Sequence, residues 1–587
     1  MLQINSLSRR TYLIGMVAIL LLAAALRLYA LTADAPIYLT RSQDLSTDGP
    51  NTIGFARDWV LFGVQPPPYR QPALTWLAYG FFSILGIGYW QANLIAVSTS
   101  LLAIVFTAAF AHQQFGRRAA LFSALFITLN YPFLIYNRIP MVYTPLACGL
   151  ALALYCWGRG LRRPGWFFIC GVVSLFCVLY IKIAGVTFLA AAVVGLLILT
   201  WRRWRERHSQ VWSPLLFFLT GAALMAGLGW IHLFQAATID TILPSDVSTR
   251  TFNPEHGLEE NVRFAMVSVL QFGIYSGFFV RIFPLFGLAY AYLFYRGAQA
   301  LGKNPPCLAM GEIITLLYLV FTVLMLLASN SQPFRFMIGL IPPLSLTAAL
   351  ALDRWLRSER LPLPAKLGRL QLVFVLIGLT YFLYQLLAGG VKLGYALYLG
   401  VNLVDYQVIL DLPILFAILI GSLLLALVGI LAFVAWLERR KPVNLALPSS
   451  KVRALIALIL VVAITLGDLY QYGSWARAPE FTIVEASRQI SRELGADAFL
   501  GGSYAYVLAL ENDLPALSFY VYNTNVPQST LDPQITHVAV DADSVLKDGP
   551  FNEEGVFKIY PKDMKHATLL KTYTLRGYLV KLFQIKR

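Results

Sequence analysis

Residues 44–63 read DLSTDGPNTIGFARDWVLFG, and the placement of this stretch decides the fold. It follows an apolar run at 12–31 that is long enough to cross a bilayer. Asp44, Asp48, Arg57 and Asp58 therefore stand close to where the chain leaves the membrane. Charges at a bilayer edge cost free energy unless they are paired or used. The pattern 44–63 suits a helix lying at an interface, with chemistry or anchoring as its purpose.

Composition bounds the class. The 587 residues are 58% hydrophobic and only 13% charged, about half the charged fraction of a soluble protein. Successive apolar runs of roughly 18 or more residues indicate a polytopic membrane protein. The run at 12–31 follows Arg9 and Arg10; it is long and has no convincing small-residue cleavage site, so it reads as a retained span. The net charge of +16 is concentrated between apolar runs, at Arg117-Arg118, Arg162-Arg163, Arg202 to Arg205, Arg354 to Arg369 and Arg439 to Lys441. That is the positive-inside pattern of cytoplasmic loops, and it argues against nucleic acid as a partner. The five cysteines have no CxxC spacing, which supports neither a zinc site nor a disulfide framework.

Apolar length and loop charge together place spans near 12–31, 90–111, 119–136, 142–157, 166–181, 184–200, 213–233, 278–295, 309–328, 336–352, 369–388, 408–436 and 453–470, about thirteen in all. The amino terminus is then cytoplasmic and the carboxyl terminus extracytoplasmic. Residues 73–88 are apolar enough to span, but counting them would turn the basic loops outward. They are expected to lie in or against the outer face. Two outward loops are long, 32–89 and 234–277. From about 475 the composition changes. Residues 480–494 have the spacing of an amphipathic helix. Short β-rich runs follow: DAFLGG, LPALSFYV, ITHVAVDAD, HATLLKTYTL and GYLVKLFQIK. The expected fold is thus mainly α and polytopic over 1–474, with a small extracytoplasmic α/β domain at 475–587. GGSYA lacks the GxGxxG spacing of dinucleotide binding.

The outward side gathers an acid cluster and isolated cations: Asp44, Asp48, Asp58, Arg57 and Arg70 in the first loop, Arg138 after the third span, Lys182 between the fifth and sixth, and Arg335 opening the tenth. Such a set suits a phosphate-bearing lipid whose head group reacts at the interface, with cations on the phosphate and a carboxylate as proton acceptor. Each residue also has a plain structural reading. Arg57 and Asp58 can form the solvated face of a helix, Asp44 a cap, and Asp48 an Asx turn before Gly49-Pro50. Arg70, Arg138, Lys182 and Arg335 can anchor to head groups. In NPEHGLEENVRF, residues 253–264, His256, Glu255, Glu259 and Glu260 do not match HExxH, and a polar helix start is the leading reading.

Asp48 to Gly63 resembles the first outer loop of the GT-C glycosyltransferases, in particular the dolichyl-phosphate-mannose protein mannosyltransferase and lipid A aminoarabinose transferase group. That family has an aspartate, often Asp-Glu, nine residues before an arginine, then a glycine; Asp48, Arg57 and Gly63 follow that order. YRQPALTWLAYGFFSILGIGYW, FGRR at 115–118, YNRIPM at 136–141, Lys182, and FRFMIGLIPPLSLTAALAL led by Arg335 are similar to further family features in the same order. Two departures stand out. Gly49 follows Asp48 where the family often has glutamate, and Tyr143 occupies the place of a second acid five residues after Arg138.

The resemblance implies a GT-C fold and an inverting transfer from a polyprenyl-phosphate sugar to an extracytoplasmic protein, lipid or glycan. Asp48 is the expected base. Arg138, Lys182 and Arg335 are the phosphate candidates, Arg57 and Arg70 supporting groups, and Tyr143 a substrate-facing position. No cofactor is demanded; a divalent metal is allowed. The setting would be the cytoplasmic membrane. The alternatives are a transporter or flippase of a lipid-linked substrate, and a non-catalytic relative.

Overall fold

A computed structural model of the protein describes residues 7–36, 44–65, 72–235, 278–300, 308–327, 334–357, 449–519, 531–542 and 552–586, with isolated positions at 376, 378 and 380. A helix stands at every expected span within these residues. Expected spans 369–388 and 408–436 lie outside them apart from the isolated positions, as do Arg70 and the loop from 236 to 277. Among the described residues six helices are long and apolar enough to cross a membrane: Arg9–Leu28, Tyr89–Gln114, Ile183–Arg205, Ser213–Ile231, Arg335–Arg357 and Ser450–Ala476. The chain is a multi-pass membrane protein.

Residues 44–63 form α2 (Asp44–Phe62), after α1 (Arg9–Leu28). The next helix, α3 (Pro72–Leu85), has 14 residues, about 21 Å at 1.5 Å per residue and short of a 30 Å core. It packs along α2 and buries Leu74, Ala78 and Phe82. Then come α4 (Tyr89–Gln114) and α5 (Arg117–Leu129).

The expected span at 119–136 is two helices, α5 and α6 (Tyr131–Tyr136), because of Asn130-Tyr131-Pro132. Proline lacks an N–H and disfavours helix in the residue before it. The Asn130 side chain accepts from Phe133 N at 3.1 Å and starts the new helix. After α7 (Tyr143–Gly160), α8 (Trp166–Phe176) loosens into a π-turn at Cys177–Ile181. Lys182 is extended, a 3-10 turn covers Ile183–Gly185, and α9 (Val186–Arg205) resumes. The helix is thereby broken at the one cation in this apolar stretch.

Helices α10 (Ser213–Gln235), α11 (Phe278–Ala300), α12 (Met310–Leu327), a 3-10 segment Phe334–Leu340, α13 (Ile341–Arg357) and α14 (Ser450–Ala476) follow among the described residues. The carboxyl-terminal part starts with α15 (Thr482–Leu494). All five β-rich runs become strands: β1 (Leu500–Gly501), β2 (Ala516–Leu517), β3 (His537–Asp541), β4 (Thr568–Leu575) and β5 (Tyr578–Gln584), in the order β2-β1-β3-β5-β4. The first three are parallel; β5 runs antiparallel to both neighbours. Gly502 has φ +116° and a Cβ there would lie 2.1 Å from the Ala539 carbonyl oxygen, so only glycine lets the chain turn against β3.

This small α/β unit is tied to the loop after α1. Asp34 accepts from Thr482 N at 2.9 Å and Thr482 Oγ1 at 2.6 Å, capping α15 from a distant part of the chain. The Trp475 indole donates to the Asp34 carbonyl at 2.9 Å. Tyr89, opening α4, donates its hydroxyl to the Val507 carbonyl at 2.7 Å, and its N–H donates to Glu511 at 2.7 Å. The chain exit of α1, the start of α4, and α2 therefore share one face with the carboxyl-terminal unit.

Candidate active site

Asp48 lies in the second turn of α2, about a quarter exposed. Its Oδ2 accepts from Arg335 Nη1 at 2.7 Å, across the gap between α2 and the 3-10 segment. The exposures of the two side chains are 24% and 23%, which leaves room for a ligand to reach both. The broken helix brings Lys182 to the same place. Its ammonium lies 4.4 Å from the centre of the Tyr143 ring and 5.3 Å from that of Phe336. Arg335 also lies against Phe336, at 5.6 Å. Two cations are held by aromatic faces beside one carboxylate.

Burial, then repulsion from Arg335, pulls Lys182 down to about 7, while Asp48 opposes the shift. When Lys182 is protonated the trio carries one net positive charge. An incoming phosphate diester would compensate it.

The two family departures have physical counterparts here. A Cβ on Gly49 would sit 3.1 Å from the Pro140 carbonyl oxygen, so α2 approaches the Ile139–Pro140 turn closely and a glutamate would displace it. Tyr143 presents its ring to Lys182 where an acid would ion-pair it. The aromatic face stabilises the ammonium without the full charge of a carboxylate, which is consistent with the lowered lysine.

Arg57 and Arg138 do not join this cluster. Nine residues along an α-helix is about 13 Å and about half a turn out of phase, so Arg57 faces away from Asp48. It is fully buried, not solvated. Its Nη2 donates at 2.6 Å to the carbonyls of both Asn512 and Leu514, and its Nη1 pairs with Asp58. Tyr506 donates to Asp58 at 2.9 Å. Burial raises Asp58 to about 6 against the pull of Arg57. Arg57 and Asp58 thus bolt α2 to the carboxyl-terminal unit. Arg138 stacks on Trp475, 4.2 Å from its ring centre, and donates to the Ala30 carbonyl. Arg70 lies outside the described residues.

Phe336, which holds both cations, was not singled out by its sequence. The aromatic–arginine–aromatic triplet at 334–336 is the signal that could have marked it. Among the described residues no three His, Cys, Asp or Glu side chains converge as metal ligands.

Residues 66–226 match the family model described as dolichyl-phosphate-mannose-protein mannosyltransferase. No curated protein matches the chain. Among solved structures, ArnT from Cupriavidus metallidurans in the apo state is 15% identical with TM-score 0.52, covering 97% of this chain and 98% of that one. The same protein bound to undecaprenyl phosphate is similar at 15% identity, TM-score 0.49 and the same coverage. The archaeal oligosaccharyltransferase AglB from Archaeoglobus fulgidus, in complex with an inhibitory peptide and a dolichol-phosphate, is 11% identical with TM-score 0.45, covering 90% of this chain and 69% of that one. The matched family segment and the shared architecture support the GT-C assignment, and the fold is the GT-C fold: membrane helices followed by a small carboxyl-terminal sheet.

Proposed function

We propose that this chain with the GT-C fold is a glycosyltransferase that moves a sugar from a polyprenyl-phosphate donor to an extracytoplasmic acceptor, with inversion. The observation that carries the reading is the meeting of Asp48, Lys182 and Arg335, drawn from three separate segments, in one partly open cluster. The acceptor hydroxyl oxygen attacks the anomeric carbon as the bond to the phosphate oxygen breaks. Asp48 takes the hydroxyl proton. The electron pair leaves on the phosphate, whose charge grows, and Lys182 and Arg335 stabilise that growing charge more than the ground state. Phe336 and Tyr143 hold the two cations in place. The donor class is supported by the matched mannosyltransferase family segment. The lipid tail would lie between spans in the cytoplasmic membrane, with the amino terminus inside.

Incubating the purified protein with a panel of labelled polyprenyl-phosphate sugars tests this. Transfer, or donor hydrolysis in the absence of acceptor, supports the reading. Translocation of intact donor would make the protein a flippase, and binding without turnover a non-catalytic relative; either outcome defeats the proposal.

A further inference from the structure

Arg138 and Arg27 lie outside the proposed donor cluster, and both are buried without a carboxylate partner among the described residues. Arg138 is 4% exposed and Arg27 is 0% exposed. Arg138 Nε and Nη1, and Arg27 Nε and Nη2, have no hydrogen-bond acceptor among the described residues. The two guanidiniums are near enough to repel one another. Arg27 reaches only the carbonyls of Ala23 and Thr128, at 3.2 and 3.4 Å. Burying one unpaired charge is costly, and burying two of like sign side by side more so. An arrangement of this kind is expected where an anion completes it.

There is space for one. Arg138 lines a cavity with Asp34, Pro50, Tyr89, Asn93 and Pro140. The polar groups around it are otherwise occupied. Asp34 is turned to the α15 cap, Asn93 donates to the Leu31 carbonyl at 2.9 Å, and Tyr89 donates to Val507. Arg138 is thus the cationic liner with donors to spare. Asp48, Lys182 and Arg335 do not line this cavity. It nonetheless abuts the Asp48 turn, because Pro50 is two residues on and Gly49 packs against Pro140. Its other wall, Ile483 and Val484, belongs to the carboxyl-terminal unit.

We propose that this cavity is an acceptor subsite that takes an oxyanion, a phosphate or carboxylate carried by the acceptor, with the Arg138 fork as its anchor. The oxyanion chemistry comes from the unsatisfied Arg138 guanidinium that lines the cavity; its assignment to the acceptor rests on the glycosyltransferase reading. An acceptor anchored by its anion on Arg138 would lie between the Asp48 turn and the carboxyl-terminal unit, which together wall the cavity. A planar guanidinium with its Nε and Nη1 donors unused suits charge-assisted binding of such a group.

The test uses the purified full chain in discs of zwitterionic lipid, with inorganic phosphate as the probe, titrated with and without saturating undecaprenyl phosphate and read by thermal shift. The expected result is a saturable phosphate effect that persists when undecaprenyl phosphate is bound. Arg138→Gln should weaken it at least tenfold while undecaprenyl phosphate affinity stays within twofold. Ala33→Trp, which adds bulk at another position of the lining and leaves Arg138 in place, should act likewise, so a folding defect in Arg138→Gln leaves the idea testable. Competition by undecaprenyl phosphate would overturn it by merging the two sites. So would a phosphate effect indifferent to both substitutions, or stabilisation that appears only when phosphatidylglycerol replaces zwitterionic lipid. If undecaprenyl phosphate itself fails to bind while phosphate still depends on Arg138, the anion site stands and the donor reading fails.

Discussion

Arg335 Nη1 donates to Asp48 Oδ2 at 2.7 Å, joining α2 to the 3-10 segment that leads into α13. The pair aims the carboxylate, and it places a cation where a departing phosphate would gather charge. Arg335→Ala therefore removes both an orienting partner and a phosphate ligand. We expect kcat/KM for donor to fall about 10²–10³-fold, the range seen when one preorganised charge-stabilising donor is lost. Arg335→Lys, a point charge without the fork, should recover only part of it.

Lys182 sets a pH dependence whose sign follows from its lowered pKa. With its free-site value near 7, the ammonium is present below that pH and lost above it. A donor diester keeps one negative charge over the whole range, so the titration belongs to the protein. Donor affinity should be flat below about pH 6 and fall above 7, approaching tenfold per pH unit. Tyr143→Asp would add an opposite charge beside the ammonium and raise its pKa by about 1–3 units, moving the loss of affinity upward by that amount. Titrating donor binding at several pH values in both proteins checks this; an unchanged profile in the variant contradicts it.

Arg57 serves attachment in this structure, so its substitution should read out as stability. Arg57→Ala leaves Asp58 buried without its cation and strands two carbonyls, a change that costs about 3–5 kcal/mol. Thermal unfolding and limited proteolysis should show the carboxyl-terminal unit released first. Donor affinity of the fraction that stays folded should change less than twofold.

Gly54 is constrained by packing. A Cβ there would come within 2.3 Å of the Tyr506 ring, so even Gly54→Ala forces the ring aside and costs about 1–3 kcal/mol. Tyr506→Ala alone removes the ring and the hydroxyl bond to Asp58. Combining the two should restore the space, and the double variant should be more stable than the sum of the single losses predicts. Chemical unfolding of all four proteins measures the coupling.

Much of this architecture was legible. Apolar length marks spans because a bilayer demands about 20 apolar residues, and the five strands of the carboxyl-terminal unit stand on their β-rich runs. Asp48, Lys182 and Arg335 were found as charges at span ends, a position that carries a cost and so a purpose. The roles of Arg57 and Arg138 were not legible, because each depends on what a distant segment presents. Arg57 meets carbonyls at 512 and 514, and Arg138 meets the Trp475 ring. Helical phase alone would have separated Asp48 from Arg57, since a nine-residue spacing falls on opposite faces. The break at Lys182 has no proline at its site, and the lysine's own charge in an apolar run was its only mark.

The central claim is that Asp48 accepts a proton at the carbon–oxygen exchange while cations hold the phosphate. Asp48→Asn preserves shape and removes the base. Single-turnover transfer from a labelled polyprenyl-phosphate sugar, measured alongside donor affinity, is the most direct test. The account predicts a rate about 10²–10⁴-fold lower with donor still bound. A variant that transfers at near the native rate contradicts it.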